Sequence, residues 1–195
     1  MMILVHASPS SLAQHRTEDL GVLCSPRRVY GDSLEGWTWA ADNDAYSAWD
    51  EGRYRDMLDK IRGRPGCLFV TSPDVVGDAA ETMHRFAIWR DELGELPVAL
   101  VAQDGLTDPP WAEFSALFIG GTTEWKMGDQ AQKLIREAKS LGKWVHMGRV
   151  NTYSRTRYAQ QIGCDSIDGT QFSWFRSRWL DSFLSVVRQE SLETG

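Results

Sequence analysis

Short apolar runs, each closed by glycine, proline, serine or aspartate, recur along this chain with longer amphipathic stretches between them. Residues 2–7 open the series as a buried strand ended by Ser8-Pro9-Ser10. Further strands are predicted at 22–24, 36–41, 67–71, 97–102, 116–119 and 143–148, with a short one entering Asp168 from Gly163. Helical spacing predicts a short helix over 11–20, where Leu12, His15 or Arg16, Asp19 and Leu20 share a face. It predicts longer ones over 47–62 (Trp49, Tyr54, Met57, Leu58, Ile61) and 78–93 (Ala79, Met83, Phe86, Ala87, Leu93, with Trp89 at the flank). Three more follow at 128–141 (Ala131, Leu134, Ile135, Ala138, Leu141), 154–162 and 175–190 (Trp179, Phe183, Val187).

Strand, turn and helix thus repeat every 20–35 residues or so, the signature of an α/β protein with a parallel sheet. Seven or eight strands are countable in 195 residues, too few residues for two comfortable domains. The expected architecture is a compact (β/α)8 TIM-like barrel forming a single domain over 1–195, with a doubly wound open sheet as the alternative. Either fold gathers ligands at the carboxyl ends of its strands.

Composition narrows the function classes. No apolar run approaches the roughly 20 residues of a membrane helix, and residues 1–6 lack the long apolar core of a signal peptide. A cytoplasmic protein without a membrane partner is expected. Cys24, Cys67 and Cys164 are widely separated, which argues against a disulfide framework and a structural zinc site. His6, His15, His84 and His146 show no ligand spacing, so neither a metal nor a cofactor is expected. The net charge of −6 makes the molecule as a whole a poor trap for nucleic acid, leaving room for a local basic face. Arg149, Arg155 and Arg157, which follow a predicted strand, lead the candidates for phosphate contact, ahead of Arg27, Arg28, Arg176 and Arg178. Solvated ion pairs are the alternative use of any one of them. Nine tryptophans could stack on bases or simply fill the core.

The strand ends collect Asp42 and Asp44, Asp74, Gln103 and Asp104, Gly120-Gly121, Gly148-Arg149 and Asp168. Carboxylates converging on one mouth repel one another unless their protonation states and roles differ, as a nucleophile and a general acid/base do. An acidic residue ending a buried strand is costly without such a role, which marks Asp168 as a nucleophile; a helix cap is the plainer alternative for Asp165 or Asp168. The glycine pair would let a ligand approach backbone N–H donors. Gln103 offers the paired donor and acceptor that suit a base edge.

Three stretches resemble tRNA-guanine transglycosylases: Val101-Ala102-Gln103-Asp104-Gly105, Phe118-Ile119-Gly120-Gly121-Thr122 and Gly163-Cys164-Asp165-Ser166-Ile167-Asp168. The resemblance spans about residues 37–175 and is closest in character to the small phage and bacterial-island relatives that place 7-deazaguanine bases in DNA. It implies a pentosyltransferase in which Asp168 attacks the sugar C1′ and expels guanine while Asp42 handles protons. Asp74 would bind the N1 and 2-amino edge, Gln103 and the Gly121 backbone the O6 side, with Gly120 beside them, and His146-Met147-Gly148 would border the base pocket. The implied partners are DNA, less so tRNA, and a free 7-deazaguanine-type base. The sequence departs from the tRNA enzymes in lacking their cysteine-rich zinc site and long insertions, and in carrying Val76 where they have a cysteine. Two other uses of the same site remain: a DNA glycosylase in which water resolves the intermediate, and a non-catalytic nucleic-acid-binding module whose aspartates cap helices.

Overall fold

Eight parallel strands close into a barrel in strict chain order in the computed structural model, which describes residues 1–174 and 178–189. The strands are β1 (Met2–Val5), β2 (Leu20–Cys24), β3 (Trp39–Ala41), β4 (Cys67–Thr71), β5 (Val98–Ala102), β6 (Ala116–Ile119), β7 (Trp144–Met147) and β8 (Ser166–Asp168). Closure comes from β8 pairing with β1, which sets Leu4 opposite Asp168. That pairing excludes the open-sheet alternative. Among the described residues no helix is long and apolar enough to cross a membrane.

The outer ring consists of α1 (Pro9–Leu12), α2 (Glu51–Ile61), α3 (Ala79–Leu93), α4 (Thr123–Lys126), α5 (Asp129–Ser140), α6 (Tyr153–Gln161), α7 (Thr170–Trp174) and α8 (Arg178–Gln189). Two crossovers, β2 to β3 and β5 to β6, are reduced to single 3-10 turns at Gly31–Leu34 and Trp111–Glu113. This economy lets so short a chain complete the barrel.

Apolar side chains divide into two layers. Leu4, Leu23, Ala40, Phe69, Ala99, Val101, Ala116 and Phe118 form a buried cluster of their own, with Met2 and Trp144 packed against it. They are every second residue of their strands, as the period of two requires of a barrel lining. The opposite faces, among them Ile3, Val22, Leu100 and Val145, pack with Met57, Phe86, Leu134 and Phe183 of the helices. Strands buried on both faces read as continuous apolar runs, which is why the sequence pattern found them.

Several boundaries differ from the sequence expectation for local reasons. The helix placed over 11–20 starts earlier and stops sooner, because Ser8 caps the Ser11 N–H and Pro9 sits in the first turn. The chain then passes through a 3-10 turn at Ala13–His15. The helix placed over 47–62 begins at Glu51, where Asp50 takes the Arg53 N–H as its cap. Strand β3 is shorter than expected and carries a register shift against β4. On α3 the buried face is Thr82, Phe86, Trp89 and Leu93, so Trp89 belongs to the core and Ala87 faces solvent. Leu141 lies beyond the end of α5 and is exposed. After Asp168 the chain enters α7 directly at Thr170, and the last helix begins at Arg178. Arg176 and the side chains of Arg178 and Trp179 lie outside the described residues.

Candidate active site

A cavity of about 250 Å³ opens at the carboxyl ends of the strands. Asp42, Asp74, Gln103, Gly120, Arg149 and Asp168 all line it. These residues come from the ends of six different segments, spread from position 42 to position 168. His6, Arg27, Arg28, Asn43, Asp44, Tyr46 and Val76 complete much of the wall.

Asp168 ends β8 and is only 8% exposed. Its Oδ2 lies 3.0 Å from His146 Nε2, and its Oδ1 accepts the Arg149 N–H at 3.0 Å. Burial alone would push this carboxyl up, yet the His146 hydrogen bond, His6 and the Arg149 N–H hold it below the ordinary carboxylate range. It is therefore a carboxylate, and it does not cap the helix after it. The start of α7 is served by Asn151 Oδ1, which accepts from Gln171 N and Thr170 Oγ1. Asp165 is equally uninvolved in capping: it pairs with Lys139 and accepts the Val145 N–H.

Asp42 has the opposite character. Burial, then the Asp168, Asp74 and Asp44 charges, push its carboxyl well above the usual range. Against this stand the Asn43 N–H at 2.9 Å and a long contact from Thr71 Oγ1. One mouth thus holds a carboxyl kept ionised and a carboxyl kept protonated to higher pH, the division of labour that acid–base chemistry beside a nucleophile requires.

Asp74 and Gln103 form a fixed recognition edge. Gln103 Nε2 donates to Asp74 Oδ2 at 2.6 Å, and Gln103 Oε1 accepts the Gly77 N–H at 2.9 Å. A backbone N–H can only donate, so the amide orientation is settled, with Nε2 turned to Asp74. Asn43 Nδ2 bonds Asp74 Oδ1 at 2.8 Å and the Ser72 carbonyl at 2.6 Å, while its Oδ1 accepts the Ala45 N–H. Burial raises the Asp74 carboxyl above its ordinary range, by more than the Asn43 and Gln103 donors lower it.

The glycine pair works differently from expectation. Both N–H groups donate to the Ala102 carbonyl, at 2.9 Å for Gly120 and 3.1 Å for Gly121, extending the β5–β6 ladder. They are not donors for a ligand. The carbonyls of both glycines instead receive the Arg149 guanidinium, which also lies 4.4 Å from the Tyr46 ring centroid. Arg149 thus belongs to the cavity wall; its backbone is left-handed at φ 60, one of two such non-glycine residues among those described. The other, Asp44, lines the same cavity. Unfavourable backbone gathered at one cleft is characteristic of a working site.

A Cβ at Gly120 would meet Gln103 Nε2 and Val101 Cγ1, each at 2.7 Å. Gly120→Ala is expected to displace the Gln103 amide from Asp74 and lower the melting temperature by about 2–4 °C, the cost of one good hydrogen bond of about 1 kcal/mol in a chain of this size. Thermal melting followed by circular dichroism would show it.

The remaining expected residues lie off the cavity wall. His146 is fully buried between the Phe69 and Phe118 rings, behind Asp168, and so supports the pocket from beneath rather than bordering it. Met147 ends β7 with its side chain in the layer between strands and helices. Gly148 packs on Phe118, and its carbonyl accepts from Lys126 Nζ at 2.7 Å. Arg155 and Arg157 sit on α6, half-buried and exposed respectively. Asp104 anchors Thr122 through its N–H and Oγ1.

Four participants escaped the sequence reading. His6 directly follows β1, where the strand-end rule that found Asp168 applies equally. Burial pushes its imidazole down, with Asp168 and Asp44 pulling the other way. Asn43 and Tyr46 follow Asp42 on the same loop. Lys126 is buried, and that burial, with Arg149 beside it, lowers its amine to about 8. The thiols are unsuited to nucleophilic work: burial pushes Cys24, Cys67 and Cys164 each up to about 12. Among the described residues no group of three or more His, Cys, Asp or Glu side chains is arranged to hold a metal ion.

No family model and no curated protein matches this chain. Its structure is similar to 3-hexulose-6-phosphate synthase from Salmonella typhimurium, at 14% identity and TM-score 0.54 over 97% of this chain and 99% of that one. A second neighbour is the PaMucR phosphodiesterase in its c-di-GMP complex, at 17% identity and TM-score 0.43 over 71% of this chain and 67% of that one. At such identities the likeness to the synthase establishes the barrel fold alone.

Proposed function

We propose that this protein is a base-exchange enzyme, a pentosyltransferase that replaces guanine in DNA with a 7-deazaguanine base through a covalent aspartyl-sugar intermediate. The observation that supports the proposal is the pairing, in one cavity, of an Asp168 carboxyl held below the ordinary range with an Asp42 carboxyl held above it, beside the fixed Asp74–Gln103 edge. The resemblance to guanine transglycosylases assigns these same four positions.

In this mechanism a guanine flipped from the strand enters the cavity, which has room for one base and its sugar. Asp74 accepts from N1–H and the 2-amino group on lone pairs that Asn43 and Gln103 leave open. The other N–H of Gln103 donates to O6. Continuing around the ring from O6, position 7 comes next and then N9, which puts the Arg149 side of the wall along the edge between Gly120 and Asp168. An Asp168 oxygen attacks C1′, the C1′–N9 bond breaks, and its electron pair leaves with the base as Asp42 supplies a proton. The incoming base returns a proton from N9 to Asp42, attacks C1′ and releases Asp168. Each displacement is easier than direct exchange, and the proton count closes on Asp42.

Labelled guanine offered with duplex DNA, single-stranded DNA and tRNA tests the proposal. Label is expected in DNA. Abasic sites without label would replace it by the glycosylase alternative, and label in tRNA alone would reassign the polymer. Neither label nor abasic sites would favour the binding-module alternative.

A further inference from the structure

Beneath Asp168 a line of hydrogen bonds runs down the inside of the barrel. Trp144 Nε1 lies 2.8 Å from Ser166 Oγ, Ser166 Oγ lies 2.8 Å from His146 Nδ1, and His146 Nε2 lies 3.0 Å from Asp168 Oδ2. Trp144 and His146 are alternate residues of β7, and Ser166 and Asp168 are alternate residues of β8. The register pairs His146 directly with Ser166. The period of two on neighbouring strands is therefore what builds the line.

Its direction follows from donor chemistry. An indole N–H can only donate, so Ser166 Oγ accepts it. The serine's own hydrogen then finds its partner in His146 Nδ1, the arrangement that leaves no buried hydrogen unpaired and keeps the imidazole hydrogen on Nε2 for Asp168. Every donor points toward the carboxylate, and every hydrogen in the line is paired. Ser166 and His146 are fully buried, so no solvent stands in for a missing partner. The aromatic faces of Phe69 and Phe118, with centroids 5.1 and 4.6 Å from the imidazole, hold the ring in place.

We propose that Trp144, Ser166 and His146 are positioning residues that form a one-way hydrogen-bond relay, aiming the Asp168 carboxylate at the sugar and fixing the imidazole tautomer that holds it. The base-reading residues have no part in this relay, which rests on the nucleophilic role proposed for Asp168. A hydrogen bond with fixed polarity in a dry interior stabilises an ionised partner more than the same bond exposed to water. The relay thus serves the attack and leaves base recognition untouched.

Two measurements test it together. In the first, ¹⁵N spectra of histidine-labelled protein are expected to show His146 protonated on Nε2, and Ser166→Ala is expected to turn that state into a tautomer mixture. In the second, the rate at which the enzyme is captured covalently by DNA is measured on denaturing gels. Ser166→Ala and Trp144→Phe are each expected to slow capture by about tenfold, the worth of one hydrogen bond, with affinity for free guanine unchanged. His146→Phe is expected to slow it further, while His146→Gln, which keeps a donor and an acceptor, restores much of the rate.

The acid limb of the His146→Phe pH profile should move to higher pH, since the carboxylate loses a donor. His6 from β1, Asp42 after β3, Lys126 from α4 and Arg149 after β7 face the same carboxylate and stay in place. A purely structural role for His146 would lower the melting temperature without moving that limb. A wild-type ring protonated on Nδ1, or wild-type capture rates in Ser166→Ala, would overturn the relay. Failure of the base-exchange proposal looks different: wild-type protein would give no capture with any DNA, although His146 carries its proton on Nε2.

Discussion

Asp168→Asn is expected to abolish the proposed guanine exchange, by at least about 10⁴-fold, the scale of losing a covalent nucleophile. An amide oxygen cannot displace N9, and the other cavity carboxyls are engaged elsewhere, Asp74 with Asn43 and Gln103 and Asp44 with Arg27. The Cys24, Cys67 and Cys164 thiols are held up to about 12, and Asp42 is protonated to higher pH than an ordinary carboxyl. The variant also meets two donors, His146 Nε2–H and the Arg149 N–H, where it has one acceptor. A modest fall in melting temperature is therefore expected alongside the loss. Binding of free guanine persists, because Asp74 and Gln103 are untouched. Calorimetry with guanine separates that outcome from general collapse of the site.

Asp42→Asn gives the second large effect, and here activity and stability move in opposite directions. Burial and neighbouring carboxylates keep the Asp42 proton on to higher pH than the unfolded chain does. Between the ordinary carboxylate range and that raised value the folded state binds more protons than the unfolded state, so stability falls as pH rises through this window. Asparagine cannot ionise and accepts the Asn43 N–H as well as aspartate does. The variant is expected to melt about 2–4 °C higher at neutral pH, corresponding to roughly 1 kcal/mol in a chain of this size. Near pH 4 the difference should vanish. Exchange is expected to drop by about 10²–10⁴-fold, the usual share of a general acid/base. A variant that melts lower at neutral pH, or exchanges normally, contradicts the assigned protonation state.

The barrel was legible because every strand is buried on both faces and so reads as an unbroken apolar run. The segments at 22–24, 67–71 and 116–119 needed no long-range information to be found. Crossovers were harder. The 3-10 turns at Gly31–Leu34 and Trp111–Glu113 carry no helical period, and the early start of α1 depends on the Ser8 cap. At the site, the rule that strand ends face the ligand found Asp42, Asp74, Gln103 and Asp168, whose side chains share one cavity. It could not show where hydrogen bonds already go. The N–H groups of Gly120 and Gly121 are spent on Ala102, a fact set by strand pairing rather than by residue type. That Arg149 bridges to the glycine carbonyls is set by the fold, and nothing in its sequence neighbours reveals it. The buried role of His146 was not legible because it lies inside its strand, one residue before the end, and only the register with Ser166 shows what it supports.

The central claim is that Asp168 itself forms a bond to the sugar. The direct measurement is to quench the protein with guanine-containing DNA, digest it, and identify by mass spectrometry the peptide that carries the nucleotide. The adduct is expected on the peptide containing Asp168 and to disappear on adding free base. An adduct on any other residue, or exchange proceeding with no adduct at all, would contradict it.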